Sequence, residues 1–335
     1  MTTATTRTFR LAAALAVAGA AMTMLAPAAT AQTASPPAYP TKPVRWVVGY
    51  PAGGGTDFLA RTAGAQLSQQ LGQPVLVDNR PGAGAIIASE NVARSPGDGY
   101  TVFSADNGVL VYNPALYKKL PYDAEKDFAL IGMMGRSPLI ITAAPGTGFT
   151  DAKALIAALK ASPGKYSIAT PGTGSPHHLA YELFQREAGV SMLHVPYKGG
   201  APALQDLMGN QVPLMMLDLP SGISAVKAGK VVPLLAMSAE RVPQLPQLPT
   251  AKELGYAVEA YTWQGLVAPT ATPKAIQARL GTDLLKSMND AGVKQKLYDA
   301  GWEARPTDAA DMGRLVESER KKWHALIKAR DIKLD

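Results

Sequence analysis

The chain has 335 residues, 47% of them hydrophobic and 18% charged, a globular balance that excludes intrinsic disorder and leaves room for two domains. It contains no cysteine, which excludes a disulfide framework, a thiolate nucleophile and Cys-ligated zinc. The formal charge is +7, yet no run of five Lys or Arg occurs, so neither nucleic acid nor a membrane surface is an expected partner.

Residues 11–26 form a long apolar run behind Arg7 and Arg10 and ahead of Ala29-Thr30-Ala31, a small-x-small cleavage pattern. The run is Ala-rich and shorter than the ~20 apolar residues that cross a bilayer, so it reads as a secretory signal peptide spanning 1–31. Cleavage after Ala31 leaves 304 residues at net charge +5. A chain of that length buries roughly 75% of its unfolded surface and can fold without disulfides. Exported, soluble and without a lipid-bearing Cys, the mature protein is expected in a periplasm.

Residues 32–40 are a Pro-rich, disordered leader. Order begins at Pro43, and a strand over 44–50 runs into Pro51-Ala52-Gly53-Gly54-Gly55, with Thr56 or Asp57 able to cap the helix beyond. Leu59, Ala63, Leu67 and Leu71 then recur at helical spacing up to Gly72. The theme repeats with a strand over 74–77, the turn Asn79-Arg80-Pro81-Gly82-Ala83-Gly84, a helix through Ile86, Ile87 and Val92, and a strand over 101–104. Two further strands are expected at 128–133 and 139–143.

A second series starts near Pro145. It reads as a helix over 151–161, a strand over 166–169, the loop Thr170-Pro171-Gly172-Thr173-Gly174-Ser175-Pro176 and a helix over 177–188. Strands over 192–195, 214–217 and 232–236 come next, with helices over 201–208 and 221–228 between them. An extended segment over 259–269 and helices over 273–291, 293–300 and 309–327 complete the chain. This alternation argues for parallel sheets in an α/β architecture. The first series has too few helices to cover its strands, so the C-terminal helices return to it. The expected domains are lobe 1 (41–138 with 259–335) and lobe 2 (139–258), joined by two crossing strands.

Both glycine loops, 53–57 and 172–175, sit where a strand ends and a helix begins, 119 residues apart. Each offers backbone N–H groups at a helix N-terminus, which suits an anion. A carboxylate between them needs no side-chain cation, because two or three N–H groups and a Ser or Thr hydroxyl satisfy its lone pairs. Glycine also makes such bends with no ligand in view, and two matched loops favour the binding role. Nucleotide fingerprints fail on spacing, since Phe58 and His177 stand where a third glycine belongs, and no cofactor is expected. His177 and His178 are adjacent and face different helix sides, so they do not form a metal pair. Ser175 with His178 could suggest a hydrolase, but no Gly-x-Ser-x-Gly elbow surrounds the serine, and catalysis is not expected. Tyr50 and Tyr197 border glycine loops and can wall a pocket, as can Tyr261 and Trp263.

Six motifs taken in order carry a family resemblance: Tyr50-Pro51-Ala52-Gly53-Gly54-Gly55-Thr56-Asp57, Asn79-Arg80-Pro81-Gly82-Ala83-Gly84, Asp98-Gly99-Tyr100-Thr101, Gly172-Thr173-Gly174-Ser175-Pro176-His177-His178-Leu179, Tyr197-Lys198-Gly199-Gly200-Ala201-Pro202-Ala203 and Trp263-Gln264-Gly265-Leu266-Val267-Ala268-Pro269. Over the whole mature chain the sequence resembles the Bug receptors, the solute receptors of tripartite tricarboxylate transporters. The resemblance implies a two-lobed periplasmic-binding-protein (Venus flytrap) fold that closes on a carboxylated solute and delivers it to a membrane permease, with a sensor kinase as the alternative destination. The expected state is a monomer.

In that family the two glycine loops grip one carboxylate, partly through water. The matching positions are Ala52, Gly53, Gly54, Thr56 and Asp57, then Thr170, Gly172, Thr173, Gly174 and Ser175. His177, in the first turn of its helix, and Asp218 complete the set of expected ligand-binding residues. One departure matters: Leu217 stands where such receptors commonly carry Asp, so an acidic partner for a ligand ammonium is missing unless Asp218 compensates. The expected ligand is therefore a non-amino aliphatic or aromatic mono- or dicarboxylate.

Overall fold

The computed structural model describes residues 39–334, so the signal peptide and all but the end of the leader lie outside the described residues. Its strands are β1 (Val44–Val48), β2 (Val75–Asn79), β3 (Thr101–Asp106), β4 (Phe128–Ala143), β5 (Ser167–Thr170), β6 (Leu193–Pro196), β7 (Leu214–Asp218), β8 (Val232–Ala236), β9 (Tyr261–Pro269) and β10 (Glu303–Asp308). The helices are α1 (Gly55–Leu71), α2 (Ile86–Ala93), α3 (Asn113–Leu116), α4 (Ala152–Ala161), α5 (Pro176–Ala188), α6 (Gly200–Met208), α7 (Leu219–Lys227), α8 (Lys274–Asn289), α9 (Ala291–Asp299) and α10 (Ala309–Ala329).

The two chain series build two sheets of one plan. One has the strand order β2-β1-β3-β9-β4 and the other β6-β5-β7-β4-β8, so β4 is the last of these strands in the first and the fourth in the second. β1 pairs in parallel with β2 and β3, and β5 in parallel with β6 and β7. β4 and β9 run antiparallel to their neighbours. The sheets are thus mixed, which corrects the expectation of parallel ones. A strand entering from the other lobe needs no crossover helix and is not held to the parallel direction.

β4 is one strand of 16 residues where the sequence suggests two. Gly132, Gly135 and Pro138 interrupt its apolar pattern, and each has a place. A Cβ on Gly132 would sit 2.5 Å from the Thr307 carbonyl oxygen, and one on Gly135 would sit 2.7 Å from that of Glu303, so both glycines admit β10. Pro138 lies opposite Tyr261, where β4 leaves one sheet for the other. The chain returns beside it, Ala260 N–H donating to the Met237 carbonyl at 2.7 Å before Tyr261 opens β9. Two adjacent crossings therefore form the hinge.

One apolar core runs along a single face of both sheets, from Val47 and Phe103 through Leu139 and Ile141 to Phe184 and Trp323. Ile140, Leu207, Met215 and Ile223 form a second core on the other face of the second sheet. The C-terminal helices α8 and α10 pack on β4, and α8 also packs on α1. Among the described residues no helix is long and apolar enough to cross a membrane.

Replacing Gly132 with Ala should push β10 off β4 and cost about 1–3 kcal/mol. Thermal unfolding should show a Tm several degrees lower; an unchanged Tm would contradict the close backbone approach.

Candidate functional site

Among the helices that start beyond the carboxyl ends of strands, α1 follows β1, α5 follows β5, α6 follows β6 and α7 follows β7. Every helix start exposes N–H groups and the positive end of its dipole. The four are closed differently. Ser175 caps α5 by accepting the His178 N–H at 3.2 Å, and Asp218 caps α7 by accepting the Ser221 N–H at 3.2 Å. Gly54 and Gly199 cap α1 and α6 and have no side chain to offer. The N–H groups of Gly55, Thr56 and Asp57, and of Gly200 and Ala201, consequently find no acceptor among the described residues.

These starts lie close together. A Cβ on Gly55 would meet the Pro220 Cβ at 2.8 Å, which puts the first turn of α1 against that of α7. One on Gly200 would lie 3.9 Å from both the Pro171 ring and the Ser221 hydroxyl. His177 Nε2 reaches from α5 to Asp218 Oδ1 at 2.8 Å. Further contacts join the lobes away from the loops: Gln244 donates to the Tyr298 carbonyl at 3.0 Å, and Arg330 pairs with Glu182 at 2.5 Å.

The first loop is held by its own carboxylate. Asp57, buried, accepts the Gly53 N–H at 2.9 Å, the Arg61 guanidinium at 2.9 Å and the Asn79 amide at 2.9 Å. Burial alone would raise its pKa, but the hydrogen bonds from Arg61, Gly53 and Asn79 outweigh it and hold the carboxyl below 3.8. Asp57 thus orders the loop, and with Gly53 it is occupied internally. Thr56 accepts a hydrogen bond from Gln264 at 3.1 Å, while Ala52, Gly53 and Gly54 are exposed at the tip.

Asp106 and Asp218 occupy equivalent ends of β3 and β7. Asp106 accepts the Tyr50 hydroxyl and, at 2.9 Å, the Val109 N–H. Asp218 accepts His177 and, from Ser221, both the N–H and the hydroxyl, the latter at 2.8 Å. Their pKa values part company. Burial raises Asp106 against the hydrogen bond from Tyr50, whereas His177 outweighs burial at Asp218 and lowers it.

In the second loop, Thr173 is exposed, while the Gly174 N–H donates to His178 Nδ1 at 3.0 Å and Gly172 meets the Thr170 hydroxyl at 3.3 Å. His178 stacks on His194, whose Nε2 meets the Thr170 hydroxyl at 2.7 Å; burial followed by the His194 charge depresses the His178 pKa to about 3. Ser175 and His178 are therefore a helix cap and its packing partner, and their side chains make no nucleophile–base hydrogen bond. Tyr197 donates to Asp206 at 2.7 Å, within its own lobe. Sequence reasoning passes over Arg61 and Asn79, which fix Asp57; the i, i+4 spacing of Asp57 and Arg61 is the one local signal for them. Among the described residues no His, Asp or Glu cluster is arranged as a metal-ligand set.

A two-lobed α/β protein with a double-strand hinge and bare helix starts at the lobe junction has the plan of a solute receptor. The match to the tripartite tricarboxylate transporter family receptor over residues 59–332 places the chain in that family. It is 33% identical to BugT of Bordetella pertussis over 314 residues, covering 92% of this chain and 96% of that protein. The adipate complex of Rpa4515 from R. palustris superposes with a TM-score of 0.81 at 34% identity, over 87% of this chain and 97% of that one. MatC from Rhodopseudomonas palustris with bound malate gives 0.78 at 30% identity, over 86% and 100%.

Asp57→Asn should cost about 1–3 kcal/mol at pH 7, where the native carboxylate is charged and bonded. A depressed folded pKa adds stability above the unfolded value, about pH 4, and loses it as pH falls through the folded one. The gap between wild type and variant in chemical denaturation should therefore narrow below pH 4. A gap equal at pH 3 and pH 7 would contradict the assignment.

Proposed function

We propose that this chain is a periplasmic receptor, cut from its signal peptide near Ala31, that closes as a monomer on a small carboxylate. It passes the cargo to the permease of a tripartite tricarboxylate transporter. The moving parts are residues 41–138 with 259–335 and residues 139–258, a division supported by the two crossings at Pro138 and Ala260. The observation that carries the reading is the pair of glycine-capped helices, α1 on one lobe and α6 on the other, whose first-turn N–H groups lack acceptors among the described residues. The ligand is bound by Ala52, Gly54 and Thr56 at the open start of α1, and on the other lobe by the Thr173 region and the open start of α6. Asp57, Gly53, Gly174, Ser175, Tyr50 and Tyr197 shape these loops, and binding rather than catalysis is the outcome.

The cargo is a non-amino aliphatic or aromatic mono- or dicarboxylate. Asp218 is already bonded by His177 and Ser221, and position 217 holds an uncharged Leu, which argues against a site for an ammonium. Adipate and malate, bound by two relatives, belong to this class.

A ligand shifts a hinge equilibrium only through contacts that are better in the closed form. At 100 times its Kd the cargo should add about 2.7 kcal/mol of stability, visible as a melting shift in a screen of mono-, di- and tricarboxylates. Micromolar binding of aspartate or glutamate with none of the dicarboxylates would overturn the ligand class. Gly55→Val places a side chain where Pro220 packs and should weaken cargo binding at least about tenfold by blocking closure, with the unliganded Tm little changed. Undiminished affinity would show that this contact does not belong to the closed state.

A further inference from the structure

We infer that residues 330–334 form a strap that holds the two lobes together and sets the second glycine loop for cargo, with Arg330 and Leu334 as its positioning residues; its effect on cargo rests on the receptor reading above. The strap follows α10, which packs on α3 of the first lobe and on α5 of the second. The helix ends in a tight reversal. The Asp331 N–H donates to the Lys328 carbonyl at 3.3 Å and the Ile332 N–H to the Ile327 carbonyl at 3.1 Å, while Asp331 takes φ +49°. This is the left-handed helix stop usually given to glycine, and aspartate is among the few other residues that tolerate it. Beyond it Ile332 and Leu334 pack on the core and Lys333 is exposed.

Two routes lead from the strap to Gly174, the residue after Thr173. The apolar route is direct. The Leu334 N–H donates to the Leu116 carbonyl at 3.1 Å, and a Cβ on Gly174 would lie 2.7 Å from Leu334 Cδ1 and 2.8 Å from Leu116 Cδ1. Two leucines tied to each other on the first lobe thus close on the bare backbone of the second lobe's loop. The polar route runs through α5. Arg330 places Nε and a terminal nitrogen each 2.5 Å from Glu182 Oε2, His178 Nε2 lies 3.8 Å from Glu182 Oε1, and His178 Nδ1 accepts the Gly174 N–H at 3.0 Å. Both routes pass from one lobe to the other and end at one residue of the loop.

Parting the lobes takes Arg330 away from the Glu182 carboxylate, whose side chain is only 12% exposed, and returns Leu334 to water. The strap therefore favours the closed form. Cargo held from both lobes leaves only through an opened state, so contacts that favour closure slow its release.

The chain has no cysteine, so two introduced ones carry spin labels without competition. Lys153→Cys and Lys296→Cys put them at exposed positions on opposite lobes. In the unliganded mature protein, double electron–electron resonance should show a dominant short-distance population. Arg330→Ala and Leu334→Ala should each shift it toward longer distances, and Arg330→Lys, which keeps the charge, should stay near wild type. With adipate and malate as probes, stopped-flow fluorescence should show release about threefold faster or more in the two alanine variants, with association not slowed. A single long-distance population in the wild type would overturn the strap. So would distances and release rates that both alanine variants leave unchanged while the Tm alone falls, since that marks packing at the end of α10 and nothing more. Binding of neither probe nor of any acid in a broad carboxylate panel would overturn the receptor reading instead, and the distances in the unliganded protein would then decide the strap by themselves.

Discussion

A helix capped by glycine begins with N–H groups that the capping residue has no side chain to satisfy. In this protein α1 and α6 start that way on opposite lobes, whereas α5 and α7 between them are closed by Ser175 and Asp218. The open starts concentrate partial positive charge at the junction of the lobes. In the proposed mode of binding, a carboxylate that reaches both gains hydrogen bonds only when the lobes come together, and that differential contact would couple recognition to hinge closure.

Three buried or half-buried carboxylates stand close to this anion-attracting junction, and each is turned inward. Asp57 is matched by Arg61 and Asn79, Asp106 by Tyr50, and Asp218 by His177 and Ser221. Their lone pairs hold the loops in shape, so the main-chain amides are set before a ligand arrives. Preorganised donors of this kind avoid the ordering entropy that a flexible loop would lose on binding. The repeat of the device at the ends of β3 and β7 stems from the shared strand order of the two sheets.

Much of the fold could be read from periodicity, because each series alternates short β-branched runs with amphipathic segments broken by Gly and Pro. Other parts were illegible for physical reasons. Gly132, Gly135 and Pro138 look like strand breakers until β10 and the sheet crossing supply their partners. β10 itself, with Arg305 and Pro306 in its middle, has no alternating apolar pattern to announce it. The mixed strand direction depends on which lobe a strand enters from, a long-range property that no local pattern encodes. At the site, the glycine loops stood out in the sequence. The internal use of Gly53, Gly174, Asp57 and Asp218 did not, since it depends on Asn79, His177 and His178 arriving from other elements.

A crystal structure of the mature protein with a bound dicarboxylate is the most direct trial of this account. It should place one carboxylate within hydrogen-bonding distance, about 3.2 Å directly or through one ordered water, of N–H groups from residues 55–57 and from the loops of the opposite lobe. A ligand seated elsewhere, or one whose carboxylates are met by side-chain cations while both glycine-capped helix starts face away, would contradict it.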